Sequence, residues 1–85
     1  MARYRVVVRK SVARDLRGVV RQDVKRILAT IRGLADDPRP VGAKKLSGQE
    51  RYRLRQGSYR ILYSIEDDRL VVCVVRVGHR REAYR

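Results

Sequence analysis

Arg53, Arg55 and Arg60 flank a single glycine in the stretch Tyr52-Arg53-Leu54-Arg55-Gln56-Gly57-Ser58-Tyr59-Arg60-Ile61-Leu62-Tyr63. A guanidinium group stays charged at any relevant pH and presents its donors as a planar fork that fits phosphate oxygens. Folding does not require arginine at that density in the middle of a sheet; an anionic partner does. The chemistry on offer is neutralisation of a phosphate, including the extra charge that a phosphoryl group carries in a transition state. Lys44 and Lys45 precede this stretch, and His79, Arg80, Arg81 and Tyr84 close the chain. Histidine titrates near physiological pH, and a tyrosine hydroxyl becomes more acidic beside cations, so the tail adds groups able to move a proton.

The charge balance agrees. The 85 residues carry 22 Lys and Arg against 9 Asp and Glu, a formal net charge of +13, and 44% are hydrophobic. That field attracts polyanions, nucleic acid foremost, while the apolar content is that of a globular chain. No stretch reads as a basic amphipathic helix lying on a membrane, as a signal peptide or as a membrane span, so a cytoplasmic protein is expected. One cysteine, Cys73, permits no intrachain disulfide and reads as a small buried hydrophobe in a strand.

The elements that must position the arginines follow from periodicity. Residues 52–55 and 59–64 alternate apolar and polar around Gln56-Gly57-Ser58, which predicts a hairpin whose turn uses the positive φ open to glycine. Residues 3–9 predict a first strand, with Tyr4, Val6 and Val8 on one face and Arg3, Arg5, Val7 and Arg9 on the other. Ser11 stands where a helix N-cap would, ahead of Val12 and Leu16, and Gly18 separates this short helix from a longer one. The longer one carries Val20, Val24, Ile27, Leu28, Ile31 and Leu34 as an apolar stripe, with Arg21, Gln22, Lys25, Arg26 and Arg32 opposite. Asp36-Asp37-Pro38-Arg39-Pro40 ends it, because proline cannot continue the hydrogen-bond ladder. Residues 39–50 read as a basic loop, Glu66-Asp67-Asp68-Arg69 as a second turn, and Leu70–Val77 as the most apolar strand, central in the sheet. The tail, 78–85, reads as one helical turn or an extended segment. The expectation is a single α+β domain over residues 1–85: an N-terminal strand, a helical hairpin, then a three-stranded antiparallel meander, the helices packed on one face of a four-stranded sheet.

The hairpin, together with Val77-Gly78-His79-Arg80-Arg81, the Asp-Pro helix ending and the Lys-Leu loop, resembles the RelE/ParE toxin superfamily, and within it the RelE-type messenger-RNA interferases of type II toxin–antitoxin modules. The resemblance implies a small endoribonuclease acting in the ribosomal A site. It would cleave the messenger without metal or small-molecule cofactor, by attack of a ribose 2′-hydroxyl on the adjacent phosphate. It also implies an inhibitory RelB-like antitoxin as partner. Such cleavage needs a group to take the 2′-hydroxyl proton, a group to stabilise the phosphorane-like transition state and a group to protonate the leaving 5′-oxygen.

The resemblance assigns the phosphate-binding role to Arg60 and a catalytic role to Arg80. Arg53 and Arg55 fall where relatives carry lysines, and arginine can neutralise charge there but cannot act as a base. Tyr84 matches a C-terminal tyrosine that acts on the 2′-hydroxyl or stacks on a base. The base itself stays open between Tyr84, His79 and the surroundings of the substrate. Lys44, Lys45, Arg81 and His79 read as RNA contacts. Tyr52, Tyr59 and Tyr63 read as sheet packing, and Asp36-Asp37 and Asp67-Asp68 as turn residues rather than metal ligands. Three alternatives remain: a ParE-like toxin that acts on DNA gyrase, a non-catalytic basic RNA- or ribosome-binding module, and a degenerate toxin that binds its antitoxin without cutting.

Overall fold

The structure, a computed structural model, describes residues 3–46 and 50–79. Strand β1 (Arg5–Val8) leads into helices α1 (Lys10–Asp15) and α2 (Arg21–Gly33). A two-residue strand, β2 (Lys44–Lys45), precedes the meander β3 (Arg51–Gln56), β4 (Tyr59–Glu66) and β5 (Val71–His79). The sheet order is β1-β5-β4-β3-β2, with β1 parallel to β5 and every other pair antiparallel. The expected α+β architecture is present, and the strand read as central lies between β1 and β4. Among the described residues the sheet has five strands rather than four, because the lysines read as loop pair briefly with β3. A short, charged outer strand of this kind discourages further edge pairing.

The core forms where one face of the meander meets the helices. Tyr52, Leu54, Ile61, Tyr63, Ile65, Val72, Val74 and Val77 pack against Val12, Ile27, Ile31 and Leu34. Gly57 stands first in the two-residue β3–β4 loop with φ of 60°, the position at which a type II′ turn requires glycine.

Several details depart from the sequence reading. Ser11 is not a cap: it lies inside α1, and its hydroxyl donates 2.9 Å to the Val75 carbonyl of β5. Val20 precedes α2 and is 63% exposed, and Leu28 is also exposed, so the buried stripe is narrower than the periodicity suggested. Leu70 belongs to the turn, not the strand. Its φ of 53° is left-handed, and its carbonyl accepts the Arg5 N–H at 2.8 Å, opening the β1–β5 ladder. Cys73 is in a strand, as expected, but only half-buried, because it lies on the helix-free face.

Strand β5 contains a bulge. Leu62 pairs with Arg76 while Tyr63 pairs with Val74, which leaves Val75 as the additional residue. Simple alternation from Val72 and Val74 would send Arg76 into the core. The bulge reverses the phase, so Val77 is buried and Arg76 lies on the other face with Leu62, its Nε 4.0 Å from Asp15 Oδ2 at the end of α1. The β5 edge beyond β1 is covered by α1: Ser11 takes the Val75 carbonyl, and Asp15 Oδ2 accepts the Val77 N–H at 2.9 Å. These contacts satisfy ladder groups that would otherwise lack a strand neighbour.

Candidate nucleic-acid interface

The helix-free face of the sheet collects the arginines. Arg55 pairs directly with Arg60 across the hairpin, and Arg53 pairs with Leu62. Lys44 extends the Arg53 row on one side, and Arg76 extends it through Leu62 on the other. Paired residues share a face, so Lys44, Arg53, Arg55, Arg60 and Arg76 occupy one side of four adjacent strands. Like charges placed directly opposite destabilise a bare sheet. Their concentration here is intelligible as a seat for an anion.

Local packing partly buries this face. Leu62 is only 8% exposed although no helix covers it; its cross-strand partners are Arg53 and Arg76, whose aliphatic stems can shield it. Arg60 is half-buried, with its Nε away from solvent. Its partner on β5 is Gly78, which adds no side chain beside the guanidinium. Gly42, Lys44, Arg53 and Arg55 line a hollow of about 240 Å³. It is cationic and large enough for a phosphate with part of its sugar.

The other expected contacts are distributed differently. His79 pairs with Tyr59, stands on the opposite face from Arg60, and meets the Tyr59 ring edge-on at 5.7 Å between centroids. Lys45 pairs with Tyr52, also on the opposite face, and its Nζ lies 3.5 Å from Glu50 Oε1. Arg80, Arg81 and Tyr84 lie outside the described residues. Arg76 was absent from the sequence reading, hidden within an apolar strand. The signal that could have found it was its phase, since an arginine in register with Val72 and Val74 is tolerable only beside a bulge.

A second polar network braces the sheet from below. Arg39 donates through Nη1 and Nη2 to both Asp67 oxygens, at 3.1 and 2.9 Å, and through Nε to the Tyr52 hydroxyl at 3.1 Å. Its guanidinium also lies 5.1 Å from the Tyr52 ring centroid. Tyr4 donates 2.6 Å to Asp67, and Tyr63, stacked on Tyr52, donates 2.8 Å to the Pro38 carbonyl. Hydrogen bonds from Arg39 and then Tyr4 hold the Asp67 carboxyl down to about 2. Burial pushes the Tyr63 hydroxyl up to about 12, and the bond to Asp67 raises that of Tyr4. Asp67 is thus a turn residue, as expected, but also the hub joining the first strand, the proline loop and β3. Among the described residues, no three His, Cys, Asp or Glu side chains converge as a metal site would require.

Comparison with known proteins gives this geometry a context. The profile of the ParE toxins of type II toxin–antitoxin systems (parDE) matches residues 4–84. The mRNA interferase toxin RelE of Escherichia coli is 33% identical over 73 residues, covering 82% of this chain and 73% of that protein. Toxin RelG of Mycobacterium tuberculosis is 38% identical over 55 residues, 61% of this chain, and the match spans 61% of the RelG length. The crystal structure of the RelE–RelB complex from Pyrococcus horikoshii superposes with a TM-score of 0.83 at 29% identity, covering 98% of this chain and all of that one.

Proposed function

The chain belongs to the ParE toxin family of type II toxin–antitoxin systems, and on that premise we propose that it is a toxin of the RelE kind, a ribosome-dependent endoribonuclease that cleaves messenger RNA in the cytoplasm. The observation that carries this reading is the Arg55–Arg60 pair on the helix-free face, flanked by Arg53, Lys44 and Arg76. The name of the Escherichia coli relative, an mRNA interferase, supports it.

In this reading the 2′-oxygen of the messenger forms a bond to the adjacent phosphorus. The P–O5′ bond breaks, leaving a 2′,3′-cyclic phosphate and a 5′-hydroxyl. The 2′-hydroxyl proton passes to a base, and the 5′-oxygen receives a proton as it leaves. Arg60 and Arg55 hold the non-bridging oxygens, whose charge rises as the phosphorus becomes five-coordinate. Preformed donors aimed at developing charge are worth more there than in water. Arg53 and Lys44 fix the flanking backbone. Arg80 and Tyr84, assigned by resemblance, complete the set, with Arg81 as a further RNA contact. No metal is required, because the guanidinium groups supply the positive charge. A RelB-like antitoxin inhibits the toxin by covering this face.

Induction of the chain alone in cells, with mapping of messenger 5′ ends, tests the proposal. Codon-phased cuts on translated messages are expected, and Arg60→Ala should abolish them while leaving a folded protein. A second reading, poisoning of DNA gyrase, is favoured by the matching ParE profile. It predicts gyrase-linked DNA breaks and intact messages in the same experiment.

A further inference from the structure

The larger hollow on the helix-free face lies away from Arg60. It measures about 540 Å³ and is lined by Arg9, Glu50, Arg51, Ser64 and Val75. Its walls come from across the sheet: Arg9 follows β1, Val75 is the bulge residue of β5, and Ser64 on β4 pairs with Arg51 on β3. The bulge thus shapes this hollow as well as turning Arg76 outward. Arg9 and Arg51 are exposed, and Ser64 adds a hydroxyl that can donate. Among the described residues that line it, the one carboxylate, Glu50, is drawn to Lys45 at 3.5 Å.

The position is commensurate with a nucleic-acid strand. Ser64 stands four residues from Arg60 along β4, about 13 Å at the usual strand rise. Arg51, Arg53 and Arg55 repeat along one face of β3 at about 7 Å. Each nucleotide of a duplex strand advances about 3.4 Å, and an unstacked strand roughly twice that. The β3 arginines therefore keep step with successive phosphates of an extended strand.

We infer that the Arg9–Arg51–Ser64 hollow is a second phosphate subsite, holding the substrate RNA backbone about two nucleotides from the linkage that Arg55 and Arg60 engage. This rests on the proposed function for the identity of the RNA, but not on any cleavage by the protein. The subsite adds affinity and fixes the direction of the strand. Glu50 weakens it through like charge.

The test uses the whole chain and single-stranded RNA oligomers with 2′-O-methyl sugars, which lack the attacking hydroxyl and so bind without being cut. Oligomers of three nucleotides are compared with oligomers extended by three on either the 5′ or the 3′ side. Extension on one side only is expected to tighten binding roughly tenfold, the scale of one charge-assisted contact. Arg51→Ala and Arg9→Ala should each remove most of that gain and lower the salt slope by about 0.7 per phosphate lost. Arg51→Lys should restore the slope, and Glu50→Gln should tighten the extended oligomer alone. Both arginines are exposed, so the variants should melt with the parent protein. The inference is overturned if extension gives no gain, or the same gain in the alanine variants. If the length effect appears but messages stay uncut in cells, the cleavage proposal fails and the subsite stands.

Discussion

Replacing Arg39 with alanine removes the piece that ties the proline loop to the sheet. The lost contacts include the Nε bond to the Tyr52 hydroxyl and the guanidinium lying over the Tyr52 ring. The first is worth about 1 kcal/mol and the second about 0.5–1 kcal/mol. The bidentate pair with Asp67 is solvent-exposed and is left out of the sum. A loss of about 1.5–2 kcal/mol lowers the melting temperature of a domain this size by roughly 10 °C. The pH dependence gives a second, independent reading. The Asp67 carboxyl is held at about 2 in the folded protein, below its usual 3.8. The stability it contributes is therefore complete above the unfolded value and disappears as pH falls from about 4 through about 2. The Arg39 contacts to Tyr52 do not titrate in this range, so thermal melts of the parent and of Arg39→Ala between pH 7 and pH 2 should draw closer only by the Asp67 share, and most of the gap should remain. A variant that melts within 2 °C of the parent at pH 7, or a gap that closes completely at pH 2, would refute this account of the network.

Leu70→Gly should raise the melting temperature, because the left-handed φ of 53° costs a leucine about 1 kcal/mol that glycine avoids; calorimetry showing a lower melting point would count against strain at this turn. Asp15→Ala should destabilise by about 1–3 kcal/mol, since it strands the Val77 N–H beyond the end of β1. Hydrogen exchange at Val77 should accelerate first in that variant, and unchanged protection there would show that the edge is held by something else. Deleting Val75 should leave a folded protein, because without the additional residue regular alternation still pairs Arg76 with Leu62 and keeps Val77 in the core; a deletion variant that loses native circular dichroism would contradict the bulge argument.

Much of the fold was legible because its signals are local. The alternation on either side of Gly57 gave the hairpin, the spacing of Ile27, Ile31 and Leu34 gave the longer helix, and the proline pair gave its end. The meeting of Arg53, Arg55 and Arg60 on one face followed from the same alternation, once a tight turn was assumed. What was not legible depends on residues far apart in sequence. Ser11 had the chemistry of a cap, but its hydroxyl found a carbonyl 64 residues away. Arg39 resembled a loop charge until Asp67 and Tyr52 were brought to it. Arg76 was concealed by the Val75 bulge, which no period-two reading can contain. The lysines at 44 and 45 were too few to announce a strand, and their division between two faces depends on pairing with β3.

The most direct test of the central claim is the rate of messenger cleavage on programmed ribosomes by the parent chain and by Arg60→Ala, both shown to be folded. If the arginine pair stabilises the charge that develops on the scissile phosphate, removing one donor should slow the single-turnover rate by about a hundredfold or more. The products from the parent should carry 2′,3′-cyclic phosphate and 5′-hydroxyl ends. A folded Arg60→Ala protein that cuts at the parent rate would contradict the account.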